Sequence, residues 1–134
     1  MARNQYYDQK HTPVSAWHRS KHDGIALVDL DFLSICPACA EPLFIADTIY
    51  NINNEFKGKS PWFQKPYKSI AEKCGFPYFI IWYTVNEISE QIRPITEFHI
   101  KRIYPPGGKG IIKLTPDEML QYLEYKVQQH IPTC

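Results

Sequence analysis

Residues 26–50 read ALVDLDFLSICPACAEPLFIADTIY and carry the densest set of reactive side chains in the sequence. Two kinds of chemistry are written there. Asp31 and Asp47, with Asp29 close by, are carboxylates set within otherwise apolar runs, and paired carboxylates hold hard divalent cations such as Mg²⁺ or Mn²⁺. Cys36 and Cys39 form a C-x2-C knuckle, in which two thiolates three residues apart on a tight turn chelate Zn²⁺. His18 and His22 are spaced four apart, on one face of a helix, and complete a Cys2His2 set. The alternative for the knuckle is two reduced thiols at a hairpin tip. Cys74 occupies the place of an apolar helix residue, and Cys134, at the end of the sequence, is expected to fray.

Positioning these groups requires a hairpin. Residues 25–35 and 42–50 alternate as strands do, and the intervening CPACAE with Pro42 turns the chain back on itself. With the turn centred near residue 39, Asp31 falls opposite Asp47 and Asp29 opposite Ile49, all on one face of the sheet. Val28, Leu30, Phe32, Ala46 and Tyr50 fall on the other, which reads as the core face. Directly opposed side chains have Cβ atoms about 4.5–5.5 Å apart, so the two acids call for a cation, a neighbouring Lys or Arg, or a raised pKa in one of them. A register slip that leaves both acids in solvent is the alternative.

Around the hairpin, Thr12-Pro13 opens a short helix that carries Trp17, His18 and Arg19 and breaks at Asp23-Gly24. The polar segment 51–60 is a loop. A helix follows, with Pro66 at its start or at a kink, and ends at Cys74-Gly75. Residues 78–85, YFIIWYTV, form a central strand buried on both faces, and Trp82 is a core anchor. Residues 95–104 form a half-exposed strand, and PPGGKG (105–110) is a turn without the P-loop pattern. Thr115-Pro116-Asp117-Glu118 is a capping box opening a last helix, with Met119, Leu120, Leu123 and Val127 on its apolar stripe.

The order helix, strand, strand, helix, strand, strand, helix implies an α/β fold on a mixed sheet. The chain reads as one domain over residues 1–134, with 1–11 a loose arm and 12–130 the core. Its 134 residues and 44% hydrophobic content suffice for a packed core. The formal net charge of +1 excludes reading a nucleic-acid partner from overall charge. No run is long enough to span a membrane and the polar N-terminus has no signal-peptide apolar region, so a cytoplasmic location is expected. Locally, Trp62 with Phe63, Tyr67 and nearby lysines forms either a base-stacking or partner surface or a helix face packed on the sheet. Lys101, Arg102, Lys109 and Lys113 either contact phosphate or protect an edge strand.

WHR at 17–19, VDLDF at 28–32, a turn, and a strand carrying an acid together resemble small phage and archaeal proteins of the PD-(D/E)xK nuclease superfamily. The resemblance covers residues 15–104 and implies a restriction-endonuclease-like core. It also implies metal-dependent DNA cleavage, with Asp31 and Asp47 as catalytic acids holding Mg²⁺ or Mn²⁺. The family lysine falls at Ile49, and a frequent family glutamate falls at Ser34, so the implied site is degenerate. A lysine supplied from the following helix would be Lys68 or Lys65. Lys57 and Lys59 are further candidates, and all four equally read as solvated surface lysines. Lys65, Arg19 and Trp62 are the implied DNA contacts. The alternatives are a non-enzymatic phage protein that binds nucleic acid or inhibits a bacterial enzyme, and a zinc-knuckle binding module, with a zinc-bridged dimer as a variant.

Overall fold

In the computed structural model, residues 31–51, 54–58, 60–89 and 91–134 are described. The first helix expected from sequence, with Trp17, His18, Arg19 and His22, lies outside them, as does Asp29. The described chain runs β1 (Phe32–Ile35), β2 (Pro42–Tyr50), α1 (Pro61–Cys74), β3 (Tyr78–Val85), β4 (Ile95–Tyr104), β5 (Ile112–Leu114), α2 (Pro116–His130) and a 3₁₀ turn, Ile131–Thr133. The fold is α/β. Five strands form one sheet in sequence order. β2 and β3 are parallel, joined by the α1 crossover, and the other neighbours are antiparallel. β5 is an addition to the sequence reading: three residues after the glycine-rich loop are too few to show alternation, and pairing with β4 makes them a strand.

Both faces of the sheet carry a core, centred on β2 and β3. Phe44, Ala46, Phe79, Ile81 and Ile100 face α2, where Met119, Leu123 and Val127 meet them. Ile45, Tyr78, Ile80 and Trp82 face α1 through Tyr67 and Ala71. The expected division into one core face and one acid face is thereby corrected. A parallel crossover places a helix over the second face, so Asp47 and Ile49 lie beneath α1. Leu120, expected on the apolar stripe of α2, is exposed instead. Met119 alone carries that turn of the helix into the core.

Local chemistry sets the helix ends. α1 begins at Pro61, with Pro66 inside it, and closes on Gly75 in the left-handed conformation. At the start of α2 the Thr115 hydroxyl accepts the Glu118 N–H at 3.1 Å, and the Glu118 carboxylate accepts the Thr115 N–H at 2.9 Å. These bonds hold the Glu118 carboxyl below its usual range. Thr115→Ala is expected to cost about 1 kcal/mol in urea unfolding at neutral pH. The Glu118 share of the cap is present above the ordinary carboxylate pKa and lost as pH falls through the folded value, so the cost of Glu118→Ala should shrink in acid.

Candidate metal centre

The β1–β2 turn is wound tightly around Cys36. Its N–H donates to the Glu41 carbonyl at 2.8 Å and its carbonyl accepts the Ala40 N–H at 2.7 Å. Ala40, immediately after the knuckle, holds a φ of 61°. A residue with a Cβ pays about 1–2 kcal/mol in that region, so the turn is imposed by its hydrogen bonds rather than by local preference. Cys36 is fully buried among Leu43, Phe44 and Met119, with Cys39 packed beside it.

Two residues from the far end of the chain meet this turn. His130 is the last residue of α2, and Cys134 follows the 3₁₀ turn. The Cys36 and Cys134 sulfurs are 3.7 Å apart. The Cys39 sulfur is 3.4 Å from His130 Nε2. One ligand atom from each of Cys36, Cys39, His130 and Cys134 lies within 4.8 Å of all the others. A tetrahedral zinc site with Zn–S near 2.3 Å and Zn–N near 2.05 Å has S···S edges of about 3.8 Å and S···N edges of about 3.5 Å. The Cys36–Cys134 and Cys39–His130 edges fall on these values and the others lie within 4.8 Å, so the cluster can hold a metal such as zinc.

The surrounding groups suit that role. Burial pushes the Cys36 thiol up, but hydrogen bonds from the Cys39 and Ala38 N–H groups, and from Cys134 and Cys39, outweigh it and bring the thiol below its usual range. Cys134 is pushed up to about 12, by its hydrogen bond with Cys39 first, then by burial and by Cys36. Thiols bind a divalent cation as thiolates, so uptake of a metal here would release their protons. The Thr133 hydroxyl lies 3.4 Å from His130 Nδ1, placed to take the Nδ1 proton and leave Nε2 facing the sulfurs. The Glu41 carboxylate lies 3.0 Å from Nε2. It accepts from the ring whenever Nε2 carries hydrogen.

Cys36 and Cys39 are thus brought together as the knuckle predicts, while His18 and His22 lie outside the described residues. His130 and Cys134 are the other two members of the cluster that could hold a metal, and Cys134, expected to fray, is in contact with Cys36. The signal was present in the sequence: HIPTC is an H-x3-C pair, the spacing of the second half of many zinc sites. Cys74 is exposed, not core, and stands apart from the cluster.

The carboxylates form a separate group. The β1–β2 register pairs Phe32 with Ala46; Asp31 is a bend residue just before β1, on the side toward which that register runs to Asp47. Asp31 Oδ2 accepts the Thr48 N–H at 3.3 Å. Asp47 is fully buried, and its Oδ2 accepts the phenol hydrogen of Tyr78 in a short hydrogen bond. Tyr78 in turn stacks on Tyr67 of α1 at 5.3 Å. Burial, then the hydrogen bond and charge of Asp47, push the Tyr78 phenol well above its usual range. Lys65 and Lys68 are exposed on α1, and Ile49 is half-buried. Trp62 is 66% exposed and packs edge-on against Phe63, so of the aromatics on this helix only Tyr67 serves the core.

The chain matches no known family. No characterised protein and no solved structure matches it either. No described helix is long and apolar enough to cross a membrane.

Proposed function

We propose that this protein is a zinc-stabilised α/β binding module. A structural Zn²⁺ held by Cys36, Cys39, His130 and Cys134 ties the β1–β2 turn to the end of α2. The observation that carries this reading is the convergence of four ligand atoms from the two ends of the described chain, with edge lengths of 3.7 and 3.4 Å. Four protein ligands fill a tetrahedron and leave no position for substrate, which is the pattern of structural rather than catalytic zinc. The test is elemental analysis of the purified protein. It is expected to give close to one zinc per chain, lost in Cys39→Ser and kept in Cys74→Ser. Wild-type protein without zinc, and unable to take it up after reduction, would remove the reading.

A second reading, a PD-(D/E)xK-like protein related to DNA, is favoured by the hydrogen bond of Asp31 to Thr48, the residue after Asp47, and by the parallel β2–α1–β3 crossover beside it. In that reading Asp31 and Asp47 are remnants of an Mg²⁺ or Mn²⁺ site, Ile49 stands where the lysine belonged, Lys68 is the candidate for a catalytic lysine supplied from the following helix, and Lys65, Arg19 and Trp62 are the candidate DNA contacts. Loss of the lysine costs orders of magnitude in rate. Incubating plasmid and single-stranded DNA with either cation should therefore give at most slow cleavage. Equal inertness of wild type, Asp31→Ala and Asp47→Ala would leave no catalysis to explain.

A further inference from the structure

Outside the cysteine cluster and the carboxylate pair, one cleft has a charged lining that is entirely basic. A cleft of about 520 Å³ opens between β4, β5, α2 and the loop 105–110. Arg102, Lys109 and Lys126 line it, with no acidic residue among the lining. None of the three has a carboxylate partner among the described residues. The rest of the wall is apolar or aromatic, with Phe79, Ile112 and Tyr122 among it.

Two of these cations are held in place, Arg102 and Lys126. Arg102 Nε donates to the Pro105 carbonyl at 2.8 Å, and Nη2 to the Pro106 carbonyl at 3.5 Å. Gly108 lies against the same side chain: a Cβ there would stand 3.4 Å from Arg102 Cβ and 3.5 Å from Nε. Gly107 and Gly110, with φ of 91° and 86°, let the loop fold back over the guanidinium. On the opposite wall the Lys126 ammonium sits 5.5 Å from the Tyr122 ring centre and 5.9 Å from that of Phe79. Lys126 is half-buried, and burial, then the charge of Arg102, pull its pKa below the usual range. Two cations that disfavour each other across a partly desolvated cleft are stabilised by an anion between them.

We infer that this cleft is a binding site for a small organic phosphate. The guanidinium N–H donors that the Pro105 and Pro106 carbonyls leave over, with the point charges of two lysines, match a phosphate dianion better than a single carboxylate. The volume exceeds that of a bare phosphate and lies in the range of small-molecule sites, and the apolar wall takes the organic part. The site shares no residue with the metal centre and does not depend on it.

Calorimetric titration of the full, metal-loaded chain with AMP, ribose 5-phosphate, inorganic phosphate and adenosine tests this. The phosphate esters are expected to bind at least about tenfold more tightly than inorganic phosphate, since only they fill the apolar wall, and adenosine to give no heat. Arg102→Gln and Lys126→Gln should each weaken the ester about tenfold or more. Lys109→Gln, on the exposed loop, should weaken it with an unchanged melting temperature, which separates lost binding from lost folding. Lys68→Gln should change nothing. Absence of binding by every phosphate probe, or binding indifferent to Arg102, Lys109 and Lys126, would overturn the inference. So would single-stranded DNA binding through these residues while the small esters do not, which would assign the cleft to a polymer backbone.

Discussion

If the cysteine–histidine cluster holds zinc as proposed, removing it with a strong chelator is expected to lower the melting temperature by on the order of 10–20 °C. A ligand that binds only the folded chain stabilises it by about 4 kcal/mol when present at a thousand times its dissociation constant. For a chain of this size each kcal/mol moves the midpoint by roughly 2–8 °C. The effect should be large because of what the site joins. Cys36 and Cys39 sit on the β1–β2 turn, while His130 and Cys134 sit at and beyond the end of α2. Without the cation, the turn keeps its own hydrogen bonds and the helix keeps the Met119, Leu123 and Val127 contacts. What is lost is the link between them. Scanning calorimetry before and after chelation, with zinc added back, checks this. Cys36→Ser should reproduce the chelated midpoint and make it insensitive to further chelator, while Cys74→Ser should behave as wild type. A midpoint unmoved by chelation in zinc-loaded protein would mean that the site contributes nothing to folding.

Much of this architecture is legible in the residues, and the parts that are not have physical reasons. The β1–β2 register follows from the alternation of apolar residues and the short CPACAE turn, and the structure pairs those strands as that reasoning requires. The Thr115–Glu118 box and Gly75 are local signals, and both stand where such signals place helix ends. The nearly continuous apolar run at 78–85 is the central strand. What escaped is non-local. That α1 covers the acid-bearing face depends on the parallel pairing of β2 with β3, which no short stretch encodes. The metal centre escaped for the same reason in part, since residues 36 and 134 meet only once the sheet and α2 are assembled. Its second half was nonetheless written as H-x3-C, and was passed over because a terminal cysteine is ordinarily loose. The glycine-rich loop reads as a turn, and only the packing of Gly108 on Arg102 shows what it holds.

Tyr78→Phe is expected to produce the largest loss of stability from removing a single oxygen anywhere in the core. Asp47 is fully buried at the centre of the sheet, and the Tyr78 phenol donates to its carboxylate beneath the Tyr67 ring. Removing one partner of a buried charge-assisted bond forfeits about 1.5–3 kcal/mol and leaves the carboxylate to bear more of its own desolvation. The Asp47→Asn variant should be milder, because it removes the charge while keeping an acceptor for the phenol. The two are also separated by pH. The Tyr78 phenol is held above the ordinary tyrosine range, so above about pH 10 the unfolded chain releases this proton while the folded chain keeps it. Stability present below that pH therefore declines as pH rises further, by at most about 1.4 kcal/mol per pH unit for one proton. Urea unfolding from pH 7 to 11 should show the decline in wild type and a shallower one in Tyr78→Phe, with Tyr122, also pushed up by burial, supplying what remains. Equal slopes in the two proteins would mean that Tyr78 is not the group that keeps its proton. In that case the phenol would not be what allows a carboxylate to stand within the sheet, and a cation shared with Asp31 would become the stronger account of that pair.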